Sequence, residues 1–155
     1  MDDADDLTQL DPAYKSMLRL QLAIAALVLL VAATIAEVAI PGWTGAVWIP
    51  ALCVAAYALI RVPLRRYHAT GFSLAEERLR VVRGIFFRTD TVVPFGRVQH
   101  IDVGQGPLER VFGLSTLTVH TAGTHNASVS LPGLRHEDAT AMRDNIRAAI
   151  RRDTR

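Results

Sequence analysis

The sequence predicts an α+β chain, with a two-helix transmembrane hairpin followed by an antiparallel β-barrel or sandwich that one C-terminal helix caps. Three observations carry this expectation. Two apolar stretches, LQLAIAALVLLVAATIAEVAI (residues 20–40) and WTGAVWIPALCVAAYALIRVPL (residues 43–64), fall in the first 64 of 155 residues. Residues 67–133 read as short strands separated by turn chemistry. The last segment then changes its apolar spacing from that of a strand to that of a helix. The expected division is an acidic tail (1–17), the hairpin (18–64, helices at about 18–40 and 43–64) and the β domain (67–155).

At about 1.5 Å of rise per residue, each apolar stretch is roughly 30 Å long, the thickness of a bilayer's hydrocarbon core. Residues 41–45 join them, a link so short that the two spans must fold back on each other. In a soluble core the first stretch would have no wet face, because residues 20–36 carry no polar stripe at helical spacing. A cleaved signal peptide is opposed by the length of the apolar run, the acidic residues before it and the span that follows.

Lys15 and Arg19 precede the first span, Arg61, Arg65 and Arg66 follow the second, and the turn between has neither Lys nor Arg. The positive-inside rule places both termini in the cytoplasm. Arg61, Arg65 and Arg66 are also the expected juxtamembrane contacts to anionic lipid. Trp43 and Trp48 bracket the turn, where indoles favour the interface. Glu37, near the outer end of the first span, reads either as a carboxylate that reaches interfacial water or as a proton site. Pro50 sits in the first turns of the second helix, where a missing N–H costs least. Cys53 is the sole cysteine, which excludes an intramolecular disulfide.

Charge divides with the chain. From Arg61 onward 15 arginines face 9 acidic residues, a formal +6, whereas residues 1–60 carry −4. A cationic domain tethered beside an anionic leaflet is attracted to it. Lys15 is the only lysine, and an Arg- and Ala-rich composition of this kind points to a GC-rich bacterial genome.

The β elements come in order along the chain. Residues 72–74 lead through Glu76-Glu77 to an extended segment containing Leu79, Val81 and Val82, which ends at Arg83-Gly84. Residues 89–94 are rich in β-branched side chains. Residues 98–103 precede the turn Gly104-Gln105-Gly106-Pro107. Leu117, Val119 and Thr121 alternate with Thr116, Thr118 and His120, the pattern of a half-buried strand. A turn at residues 122–126 returns the chain into residues 127–131. After Pro132-Gly133, residues 136–152 place Ala139, Met142, Ile146, Ala149 and Ile150 on one helical face. Glu137 and Asp138 open that helix and Arg147, Arg151 and Arg152 close it, as the macrodipole favours.

The run VPFGRVQHIDVGQGPLERVFGLSTLTVHTAG (residues 93–123), with SLPGL at 130–134, resembles the bacterial pleckstrin-homology (PH) domain of YdbS-like membrane proteins. The motifs that carry the resemblance are Arg97-Val98-Gln99-His100, Pro107-Leu108-Glu109-Arg110, Gly113-Leu114 and Thr121-Ala122-Gly123. The resemblance implies a PH-like barrel of about seven strands with a C-terminal capping helix, and it makes Arg97, Gln99, His100, Gly106, Pro107, Arg110 and Gly113 structural motif residues. It also implies a bacterial inner-membrane protein with a larger multi-PH, YdbT-like partner. Lipid-binding PH domains hold phosphates with basic residues on their first two strands. The matching positions here are Arg78, Arg80 and Arg83, although Glu76 and Glu77 in the adjoining loop would repel a phosphate.

Other chemistry finds little support. Gly104-x-Gly106-Pro107 lacks the third glycine of a dinucleotide fingerprint and any surrounding βαβ unit, so its glycines read as conformational, with Arg97 and Arg110 bracing the loop. The five histidines (His68, His100, His120, His125 and His136) show no ligand spacing, so no metal or other cofactor is expected. Ser115 or Ser128 with His100 and Asp102 could be drawn as a triad, but no nucleophile elbow accompanies them, and no catalytic residue is assigned. The Asn126-Ala127-Ser128 sequon lies on the expected cytoplasmic side. The expected function is a non-enzymatic, membrane-anchored interaction and assembly module, whose partners are membrane lipids and a multi-PH relative or its own copies, with no nucleic acid. The alternatives are an anionic-lipid headgroup sensor built on the three strand arginines, and a pore built on Glu37.

Overall fold

The computed structural model describes residues 7–39, 45–75, 77–85, 87–122 and 128–153. Glu76, His125, Asn126, most of the turn expected at 122–126 and most of the interhelical link lie outside them. The chain divides into two compact units, Lys15–Arg65 and the combination of Met1–Tyr14 with Arg66–Arg155.

The first unit is a helical hairpin of α1 (Ala13–Ala39) and α2 (Trp48–His68). Both helices are long and apolar enough to cross a membrane. Small side chains form the seam: Ala26 and Ala33 on α1 and Ala51 and Ala55 on α2 are buried. The large apolar residues point outward, Leu27, Val28, Val31 and Ile35 on one helix and Ile49, Leu52, Val54 and Ile60 on the other. Small residues between helices and large ones outside is the arrangement of helices in lipid, where close backbone approach drives association. In a soluble core those large residues would be covered. The helices also outrun the expected spans, beginning at Ala13 and ending at His68. Pro63 lies inside α2 and denies one carbonyl its partner, yet the helix continues past it.

Glu37 has a local role in this hairpin. Its carboxylate accepts the backbone N–H groups of Gly45 and Trp48, the latter at 3.2 Å. These are orphan donors at the start of α2, where the helix dipole also favours a negative charge. Trp48 adds a bond from its Nε1 to Thr34 Oγ1 at 3.2 Å. The acid therefore staples the turn.

Among the described residues, the second unit has seven strands in two antiparallel sheets. One has the order β1 (Thr8–Gln9), β2 (Gly71–Leu74), β3 (Arg78–Arg83), β4 (Thr89–Pro94). A 3₁₀ turn at Phe95–Arg97 leads to the other, β5 (Val98–Gly104), β6 (Leu114–Thr121), β7 (Ser128–Arg135). A short helix, α3 (Pro107–Val111), joins β5 to β6, and α4 (His136–Asp153) ends the described chain. The described strands form a sandwich-like pair of sheets rather than a closed barrel. Between the sheets lie Phe72, Leu79, Val81, Val93, Ile101, Leu117, Val119, Val129 and Leu131. Ala139, Met142 and Ile146 of α4 cap that core, the helical face that the periodicity predicts.

Three strand features depart from the sequence reading. β1 comes from the stretch assigned to the acidic tail, and two residues are too short to show any period. β7 does not stop before Pro132-Gly133: it advances three residues, Leu131 to Leu134, while β6 advances two, Leu117 to Ser115. That bulge requires Gly133 at φ +74°. A second bulge falls at Gln99, since Val98 pairs with Thr121 and His100 already pairs with His120.

β1 and the segment after it fasten both sheets. Gln9 pairs with Gly71 of β2. Leu10 is 2% exposed in the core, and its carbonyl accepts the Tyr67 hydroxyl at 3.0 Å. Asp11 donates its N–H to the Gly133 carbonyl at 3.0 Å, and its carboxylate takes the Ala13 N–H at 2.7 Å and Arg135 Nε at 2.6 Å. Asp11 thus caps the start of α1 through the Ala13 N–H, with Pro12 in the turn just before the helix. Partial burial pushes the Asp11 carboxyl up, but the Ala13 N–H and the Arg135 bond and charge outweigh it and hold its pKa below the usual value.

The purified chain in detergent should show both effects. A Cβ at Gly133 would meet the Tyr14 ring at 2.7 Å and strain a left-handed backbone, so Gly133→Ala is expected to cost about 1–3 kcal/mol in thermal or denaturant unfolding. Because the folded pKa of Asp11 is depressed, its contribution is complete above the carboxylate's unfolded pKa and disappears as pH falls through the folded one, below about pH 4. Asp11→Asn should lower the midpoint near neutrality and flatten its fall in acid.

Candidate functional site

Of the motif residues, Gly106, Pro107, Arg110 and Gly113 fall in the β5–α3–β6 connection, whereas Arg97, Gln99 and His100 lie at the opposite end of β5; the residue that holds the connection is Glu109. Its Oε2 accepts the Gly106 N–H at 2.7 Å and its Oε1 accepts the Thr116 hydroxyl at 2.5 Å. Gln105 Nε2 donates to the Leu114 carbonyl at 2.8 Å. Pro107 opens α3 and Gly113, at φ +66°, ends it. The conformational need for glycine therefore lies at Gly113. Gly104 and Gly106 are not among the left-handed glycines, and the Gly106 N–H is already taken.

Arg97 and Arg110 do not brace the loop. Both are exposed, with no side-chain hydrogen bond to a described residue, and the Arg97 contribution is its carbonyl, which accepts the Ala122 N–H at 3.0 Å. The loop needed an acceptor for an orphan N–H, and a guanidinium has none to give. The sequence carried a signal for this, a carboxylate three residues after the helix cap.

Strand pairing gathers the histidines. His100 and His120 are register partners on the outer face of the second sheet, with ring centroids 6.1 Å apart. Asp102 lies between them, 2.8 Å from His100 Nε2 and 3.4 Å from His120 Nε2. All three are well exposed, and the described residues contain no group of donors that could hold a metal ion. Neither serine joins them. Ser115 is fully buried, with its hydroxyl 2.9 Å from His136 Nδ1 at the start of α4, and Ser128 makes no hydrogen bond to His100.

The strand arginines are separated by their surroundings. Arg80 grips Asp90 through Nε and Nη2 at 2.5–3.1 Å. The pair holds the Asp90 carboxyl below its ordinary pKa, chiefly through the Arg80 hydrogen bond. Arg78 and Arg83 are exposed at opposite ends of β3. The phosphate-holding cluster would need all three guanidinium groups together, and one is engaged by a carboxylate. Arg61, Arg65 and Arg66 are all exposed along the last turns of α2.

The geometry thus defines a class: a two-helix, membrane-capable hairpin joined to a β sandwich whose polar interior is fully satisfied among the described residues. The chain belongs to the bacterial PH domain family, whose model matches residues 17–150. It is 36% identical over 107 residues to the UPF0699 transmembrane protein YdbS of Bacillus subtilis (strain 168), a match covering 69% of this chain and 64% of that protein. The chain thus spans just under two thirds of that relative. No solved structure matches it. Both matches are to families of a non-catalytic kind, and the chain is a membrane-associated PH-domain protein.

If Glu109 rather than an arginine holds the connection, Glu109→Ala should cost about 1–2 kcal/mol by removing two bonds from a partly buried carboxylate. Arg110→Ala should stay within about 0.5 kcal/mol of the parent. Thermal unfolding of the two variants side by side checks the contrast.

Proposed function

We propose that this chain is an assembly module anchored to the cytoplasmic face of a bacterial inner membrane. The hairpin crosses the bilayer with both termini inside, as the arginines after α2 and the lack of basic residues in the turn favour. The β unit docks against a larger multi-PH membrane relative or a second copy of this chain. It binds no cofactor and performs no catalysis.

The observation that carries the reading is the edge of β4. Among the described strands β4 pairs only with β3, and Thr89, Asp90, Val92 and Pro94 along it are exposed, with Val92 half in water. An unpaired strand edge is a template for an added strand, and membrane confinement raises the effective concentration of any partner. Pro94 limits such pairing to the first part of the strand. Headgroup sensing by Arg78, Arg80 and Arg83 has weaker support, because Asp90 occupies Arg80.

Crosslinking in native membranes, followed by mass spectrometry, should recover a multi-PH membrane protein or a dimer of this chain. Val92→Glu should reduce that yield about tenfold, a loss of about 1.4 kcal/mol of association, with the unfolding midpoint unchanged. Crosslinks confined to lipid would defeat the proposal.

A further inference from the structure

The β3–β4 hairpin ends in a tip unlike the rest of the β unit. Gly84 turns it at φ +122°, and a Cβ there would lie 1.8 Å from the Phe87 carbonyl oxygen, so the turn admits only glycine. The tight turn presents Phe87, 88% exposed, and Ile85, 36% exposed. Phe72 and Phe95 of the same unit are buried in its core. Leaving such a side chain in water forgoes the favourable burial of its apolar surface.

The tip is also cationic at its base. Residues 78–94 contain four arginines and one acidic residue, Asp90, which Arg80 engages. Arg83 and Arg88 bracket the tip, both exposed, and neither makes a hydrogen bond or salt bridge with a described residue. An apolar apex over a cationic collar matches the profile of an anionic leaflet, with acyl chains beneath phosphates. The bilayer is always at hand, because only Ala69 and Thr70 separate α2 from β2.

We propose that this tip is an interfacial wedge. Phe87 and Ile85 enter the upper acyl region of the leaflet while Arg83 and Arg88 pair with lipid phosphates. The wedge needs anionic charge but reads no particular headgroup, and it fixes which face of the β unit is turned toward the lipid. It stands apart from the assembly reading, since neither requires the other.

The test uses the full chain in lipid nanodiscs, with Phe87→Trp introduced into a Trp43→Phe, Trp48→Phe background and Ile85→Trp as a second, independent reporter. In nanodiscs containing phosphatidylglycerol, tryptophan emission should shift to the blue and lose intensity when the acyl chains are brominated. Both effects should fall when Arg83→Gln and Arg88→Gln are added, and also in purely zwitterionic discs. Emission typical of water from both reporters, quenched by iodide but not by brominated lipid, would overturn the wedge. So would a blue shift without bromine quenching that grows with the number of chains per disc, because the occupant would then be another protein surface.

Discussion

The pairing of Gln9 with Gly71 makes the chain leave the β unit and re-enter it at adjacent points, with the whole hairpin between them. Two residues of strand contribute little by themselves, so the closure rests on the next few residues of the chain. Leu10 fills the core, Asp11 bonds to Gly133 and Arg135, and the Tyr14 ring lies over Gly133. These contacts tie the start of the chain to both sheets, and the β unit is assembled from segments that flank the hairpin in sequence. A hairpin that already returns the chain removes much of the entropy that closing a free segment of that length would cost.

The same economy appears at several charged residues. Glu37 satisfies donors at the start of α2, Glu109 satisfies a donor before α3, and Asp11 caps α1. Arg80 and Asp90 neutralise each other across the first sheet. Each of these carboxylates answers an orphan N–H or a guanidinium. The β unit offers surface to other molecules: an unpaired edge, an apolar tip and an outer ladder of His100, Asp102 and His120.

Much of this was legible in one dimension because it depends on spacing along the chain. Two apolar stretches of bilayer length, the alternation through β6 and the apolar face of α4 are local patterns, and the structure keeps all three. The elements that escaped are those whose cause lies far away in sequence. β1 exists because β2 offers an edge, and Gly133 is required because β7 must bulge against β6. Gln99 stands out only when β5 is laid beside β6.

The sequence alone determined that the chain carries a membrane hairpin and a β domain with a capping helix, because hydropathy and period are properties of consecutive residues. Which charged groups matter was decided only in three dimensions. Arginines are abundant and each reads as a potential ligand, but strand register joins Arg80 to Asp90, while Arg83, Arg88 and Phe87 are exposed at the hairpin tip. A side chain's role depends on the partner within reach of its charge, and pairing between distant segments sets that distance.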